Sequence, residues 1–370
     1  MVSMTREERY KIIESIQKKR ESTLICYILG DRPNFTTSIA DDAIRVLYDH
    51  LVRIGKQKQI DLLLYARGGN LLAPFRMVHL IREFCNSFNV IVPYRAHSAA
   101  TLLCLGADEI VMGKMGELSP IDPTTGHPFN PPDPLNPGQR IPISVEDVTS
   151  FLTFARKRAG LSPEKDIDIF KILTGSIHPL ALGNIERGYG VIRHLAPKLL
   201  GFHVKDKEKI SHIVESLTEG KVHEYLITRE EAKNEIGLTV KKPDDELESL
   251  IWSLYSVYEK DMCLRELFNP PALLGNQGSV EFRVEGAYVE SLPLCDAFVF
   301  EGIIASAGLP MFAAPRPTAA ISPPTAPPQA VPTPPVSHPE RPTAPSVAPS
   351  PLLPPQTTVT FTFRGWKRVS

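Results

Sequence analysis

The sequence predicts an α/β fold: a mostly parallel sheet flanked by helices, extended by a C-terminal helix and a small β element, and followed by a disordered proline-rich tail. Three observations predict it. Short apolar runs without polar alternation recur over the first 112 residues, as in strands covered on both faces. Helical patterns of crossover length separate these runs, which is the signature of parallel βαβ units. Finally, 17 of the 35 prolines fall between Pro310 and Pro355, a composition that cannot offset the entropy of ordering.

Taken in order, Thr5 to Arg20 spaces Tyr10, Ile12, Ile13 and Ile16 as one face of an amphipathic helix, with Thr5 as a cap. Buried strands are predicted at Thr23 to Leu29, Ile60 to Tyr65, Asn89 to Pro93 and Glu109 to Met112, with helices at Asp41 to Ile54 and Leu71 to Phe84 between them. Pro120 to Pro142 is rich in Pro, Gly, Asn and Asp and reads as a long surface loop. Helical patterns then follow at Val145 to Ala159, Ile167 to Leu173, Leu182 to Leu200, Lys205 to Thr218, Arg229 to Ile236 and Glu246 to Leu267. Ser279 to Val289 alternates as a strand and Ala297 to Ile304 can pair with it; Val359, Phe361, Phe363 and Trp366 give the last residues a strand-like alternation too. The expected division is a helix at 1–22, a main domain at 23–243, a helix with a β-hairpin at 244–308, a proline-rich linker at 309–356 and a tail at 357–370.

Composition narrows the function. The chain has 370 residues and a formal net charge of −1, so it lacks the basic field that nucleic acid requires. Five cysteines without a CxxC pair suggest reduced, buried thiols and a cytoplasmic setting. Met1 to Glu21 has no apolar signal core and no apolar run reaches the length of a spanning helix; peripheral membrane contact stays open. No HExxH, paired CxxC or acidic calcium loop occurs, so no metal or other cofactor is expected.

Two strand ends carry the chemistry. Arg67, Gly68, Gly69 and Asn70 follow the strand ending at Tyr65. A glycine pair there permits a tight turn whose N–H groups can hold an oxyanion, although a purely structural turn has the same sequence. Arg95 to Thr101 follows the strand Asn89 to Pro93, and Ser98 in its alanine frame stands where a helix begins. A serine at that place is either a nucleophile projected from a turn or a helix N-cap.

The order of these segments, with Ala107 to Met112, Leu118 to Pro123, and a later His223 to Ala232 followed by Gly237 and Leu238, resembles the serine dehydrogenase proteinase family, related to signal peptide peptidase A and the Clp proteolytic subunit. The likeness spans about Thr23 to Val240, and Gly69 and Ser98 stand 29 residues apart. It implies a curved Clp/crotonase-like sheet, Ser98 as nucleophile, an oxyanion hole from the N–H groups of Gly69 and Ala99, and Gly68 and Asn70 beside the substrate. It also implies a peptide or protein substrate and self-association as a homo-oligomer.

An unactivated serine needs a base. His178, just before a long helix, stands in the order that the resemblance implies for the base, with Glu224 as its orienter where the family pattern has an aspartate. The alternative pair is His223 as base with Asp122. His97 is expected to point away from the site, and Lys114 and Lys157 would serve only in a serine–lysine dyad. The function that follows is a serine peptidase acting through an acyl-enzyme on Ser98. A non-catalytic oligomeric scaffold or membrane-associated regulator, with the proline-rich tail recruiting a protein partner, is the alternative, and a crotonase-like acyl-CoA enzyme a further one. Ile251, Leu254 and Tyr258 on the helix after Asp244 either form a contact between copies or cover the sheet.

Overall fold

The computed structural model describes residues 6–122, 127–136, 138–218, 225–306 and 357–369. The proline-rich stretch 309–356 lies outside them. Two compact units are distinguished, Met1–Phe268 with Arg283–Glu301 and Phe363–Ser370, and Asn269–Phe282 with Gly302–Thr362.

Helix α1 (Arg6–Arg20) leads into β1 (Thr23–Leu29), then α2 (Asp42–Ile54), β2 (Gln57–Tyr65), α3 (Ala73–Arg82) and β3 (Cys85–Val92). The two-residue strand β4 (Arg95–Ala96) precedes α4 (Ala99–Cys104), followed by β5 (Glu109–Met112) and β6 (Glu117–Leu118). A helical segment comprises α5 (Val145–Thr153), which runs into a π-helical turn at Phe154–Arg158, then α6 (Asp166–Ser176), α7 (Pro179–Leu200) and α8 (Lys207–Thr218). The chain continues through β7 (Ile227–Thr228), α9 (Arg229–Asn234), β8 (Val240–Lys241), α10 (Asp245–Asp261), α11 (Pro270–Leu274), β9 (Ser279–Glu290), β10 (Cys295–Ser306) and β11 (Thr357–Arg368). Between 120 and 142, the described residues form no helix and only the isolated bridge Pro132–Arg140.

The main sheet has the order β11-β10-β9-β1-β2-β3-β5-β8. Its central strands are parallel: Thr23 registers with Ile60, Gln57 with Cys85, Asn89 with Glu109 and Ile110 with Val240. β9 joins β1 antiparallel, Cys26 opposite Glu290. The unbroken apolar runs exist because both faces are covered. On β1, Ile25, Tyr27 and Leu29 pack toward α2, α3 and α4, while Leu24, Cys26 and Ile28 pack with Ile13 and Ile16 of α1 and Ile251, Leu254 and Tyr258 of α10. Those three α10 residues are buried; they cover the sheet, and the reading of that face as a contact between copies is the one the structure sets aside. All five cysteines are free thiols. A small second sheet, β4-β6-β7, lies over the ends of β2 and β3, with Ala66 bridged to Ala96.

In the second unit, the Phe282 and Phe361 rings meet edge to face at 5.7 Å, and the Ser306 N–H donates to Gly278 O at 3.1 Å.

Candidate active site

The segments that follow β2 and β3 meet at the carboxyl ends of these strands, where open α/β sheets place their ligands. Ser98 stands just before α4 with φ 51° and ψ −113°. A non-glycine residue held there costs on the order of 1–3 kcal/mol, so something must hold it. The Ser98 N–H donates to Ser119 Oγ at 2.8 Å, and that hydroxyl donates in turn to Pro120 O at 2.9 Å. Thr101 Oγ1 lies 2.8 Å from Ala96 O and 2.9 Å from Ser119 O, and it accepts the Ser119 N–H at 3.2 Å. Thr101 and Ser119 are fully buried, so these bonds replace water that cannot enter. On the other side, His97 N–H donates to Ala66 O at 3.0 Å and Ala66 N–H to Arg95 O at 2.9 Å.

The Ser98 hydroxyl makes no capping bond to α4, so the N-cap use of this serine is not the one observed. It faces Gly68 instead: a Cβ placed on Gly68 would lie 3.0 Å from Ser98 Cβ and 3.4 Å from its Oγ. Only a residue without a side chain leaves the hydroxyl its space. Ser98 itself is 8% exposed.

Gly68 and Gly69 have φ of 116° and 146°. Ile39 lies against this turn as a parallel bridge, its N–H donating to Gly68 O and its carbonyl accepting the Asn70 N–H, each at 2.8 Å. That bridge uses the neighbours of Gly69 on one side of the chain and leaves the Gly69 N–H outside it. A Cβ on Gly69 would come within 2.2 Å of Ile39 O. Ala99, the first residue of α4, has its N–H in the orphan position of a helix start, and among the described residues neither this N–H nor that of Gly69 has a backbone acceptor. Asn70 Oδ1 accepts the Leu72 N–H at 2.8 Å and so shapes the turn into α3.

The base candidates are distributed unevenly. His178 caps α7, with Nδ1 accepting the Leu180 N–H at 3.2 Å and the ring stacked on Phe129 at 4.4 Å. It is exposed and makes no hydrogen bond to Ser98. His223 and Glu224 lie outside the described residues. Asp122 is buried, three residues beyond Ser119. The chain on both sides of 219–224 is tied to this same stretch: Ile121 N–H donates to Leu217 O at 2.8 Å, and Leu118 pairs antiparallel with Ile227. Lys114 pairs with Asp245, and Lys157 sits in an exposed basic turn.

Beside the serine runs a charged chain. His97 Nε2 lies 3.1 Å from Glu117 Oε1, and Arg95 Nε donates to the same oxygen at 3.2 Å. Arg95 also reaches Asp31 at 3.2 Å, which accepts the Tyr65 hydroxyl at 2.9 Å. Burial pushes the Glu117 carboxyl above its ordinary value, against the pull of Arg95 and Arg67. Glu117 is a contribution that the motifs did not announce; Thr101 and Ser119 were visible only as parts of the Arg95 to Thr101 and Leu118 to Pro123 strings, because the Ser119 bond to Ser98 joins residues 21 apart.

Residues 1–134 match the family of ClpP-like SDH-type serine proteinases. The family read from the motif order is the family that matches. The matched region holds Gly68, Gly69, Ser98, Ala99, Ser119 and Asp122, while His178, His223 and Glu224 lie beyond it. Among curated proteins, the chain is 28% identical over 283 residues to uncharacterized protein MJ0137 of Methanocaldococcus jannaschii, covering 74% of this chain and 82% of that one. Uncharacterized protein MJ1495 of the same organism is 27% identical over 160 residues, 41% of this chain and 54% of its own length. The likeness to ClpP-like SDH-type serine proteinases thus covers residues 1–134 of the chain. Among the described residues, no helix is long and apolar enough to cross a membrane.

Proposed function

We propose that the chain is a serine peptidase in which Ser98 Oγ attacks the scissile carbonyl and the oxyanion forms between the N–H groups of Gly69 and Ala99. The observation that carries this reading is the combination at Ser98: a strained backbone, a hydroxyl that caps nothing and faces Gly68, and two neighbouring donors left out of backbone pairing. Attack transfers the serine proton to a base; the base then protonates the leaving amine, and a water attacks the acyl-enzyme with its proton taken by the same base.

For that base we take Asp122 with His223, the latter on motif order alone. Asp122 follows the Ser119 segment that holds the Ser98 N–H, and the residues flanking 219–224 are anchored to that segment. The rival pair is His178 with Glu224, but His178 Nδ1 is occupied by its own helix. Hydrolysis of a fluorogenic peptide separates them. Ser98→Ala and His223→Ala are expected to lose turnover by about 10³-fold or more, with His178→Ala near wild type. Loss in His178→Ala with retention in His223→Ala would reverse the assignment, and full activity in Ser98→Ala would end the peptidase reading.

A specific observation favours a second reading, the oligomeric scaffold. Phe154 in the π-helical turn, Ile167, Phe170 and Ile172 on α6 and Leu180 on α7 are exposed, apolar side chains suited to assembly. A folded wild-type chain that hydrolyses nothing but self-associates through these helices would support it.

A further inference from the structure

The C-terminal strand is held by three successive side chains, each with its own partner. Trp366 Nε1–H donates to Asp42 Oδ2 at 3.1 Å, and its ring meets Phe298 edge to face at 5.6 Å. Lys367 Nζ pairs with Glu301 at 2.7 Å. Arg368 Nε lies 2.8 Å from both oxygens of Asp296, and the Val369 N–H donates to Cys295 O at 2.9 Å.

Behind Asp296 is a buried relay. Its Oδ2 lies 3.0 Å from His50 Nε2, and His50 Nδ1 lies 2.7 Å from Ser291 Oγ. His50, Ser291 and Asp296 are 0%, 1% and 5% exposed. A buried carboxylate fixed by an imidazole is costly unless a cation answers it, and the cation that does so is Arg368. The body's two apolar clusters, by contrast, contain no buried residue from β11; only Trp366 packs against one of them from outside. The strand is thus recognised at its side chains and lends no buried residue to either apolar cluster.

Fifty residues, 307–356, separate β10 from β11. With the two strands that far apart in sequence, no tight turn fixes one on the other, and the contacts themselves must do the holding. We infer that the β10 edge over residues 295–301 is a binding site for an extended peptide carrying an aromatic residue followed by two basic ones, and that Phe363–Val369 is its tethered, detachable ligand. Main-chain pairing to an edge strand supplies affinity and the Asp42, Glu301 and Asp296 carboxylates supply specificity.

The test uses the full chain with a protease site inserted between 320 and 340, folded first and nicked afterwards. On dilution the released strand is expected to leave, the body to stay folded by circular dichroism, and a fluorescent peptide of residues 357–370 to bind saturably in its place. Peptides with Arg368→Ala or Trp366→Ala are expected to bind at least about tenfold more weakly. A strand that stays through dilution and melts only with the body overturns the inference, as does a body that unfolds on losing it. Equal binding of the Arg368→Ala peptide overturns the recognition by Asp296.

Discussion

Two serines of this chain sit among hydrogen-bonding partners, and they are built in opposite ways. Ser291, His50 and Asp296 form a connected serine–imidazole–carboxylate chain with distances of 2.7 and 3.0 Å. Yet the Ser291 N–H is spent on Leu294 O at 2.9 Å, the carboxylate faces Arg368, and all three side chains are buried. Ser98 has no hydrogen-bonded imidazole among the described residues, but it has a positive φ, a hydroxyl facing a glycine turn, and two donors beside it with no backbone acceptor. The difference teaches that a serine–histidine–carboxylate contact marks polar satisfaction as readily as catalysis. Strain and free donors mark the place where charge can develop.

The contrast can be broken most forcefully at the donors. Gly69→Ala drives a Cβ into the carbonyl of Ile39 and displaces the first donor, so kcat should fall by about 10²–10³-fold while the sheet stays folded by circular dichroism. Next in size is the closed cluster. His50→Ala leaves Asp296 and Ser291 buried with one partner fewer, and denaturant unfolding should show a loss of about 3 kcal/mol with turnover per folded molecule unchanged. A fall in turnover with no change in stability would put His50 in the chemistry.

Smaller effects sharpen the comparison. Ser98→Gly should be more stable than Ser98→Ala by about 1 kcal/mol, since glycine takes a positive φ freely; equal stabilities would mean that the elbow stores no strain. The smallest concerns pH. Burial acts to raise the Asp296 carboxyl, but hydrogen bonds from His50 and Arg368 outweigh it and hold the group below its ordinary value. An acid depressed on folding contributes stability above its unfolded pKa and loses it as pH falls through the folded one. Thermal melts of Asp296→Asn should therefore show a shallower decline than wild type below the ordinary carboxylate range.

Much of the scaffold was legible in the sequence because burial on both faces leaves a local mark. Thr23 to Leu29 and Glu109 to Met112 are strands with the expected bounds, and Asp41 to Ile54 differs from α2 by one residue. The serine and the glycine turn were legible too, since glycine pairs and small residues at strand ends have local causes. What escaped is tertiary. The Ser119 bond to the Ser98 N–H, the two-residue strands β4, β6 and β7, and the positive φ of Ser98 depend on contacts between segments far apart in the chain. The α10 helix shows the limit from the other side: Ile251, Leu254 and Tyr258 make one apolar stripe, and periodicity cannot say whether such a stripe meets the sheet or another molecule.

The most direct test of the contrast between the two serines is covalent labelling of the intact chain with a fluorophosphonate, followed by mass mapping of the modified peptide. The adduct is expected on Ser98, undiminished in Ser291→Ala and absent in Ser98→Ala. An adduct on Ser291, or a folded chain that takes no label at Ser98, would contradict that expectation.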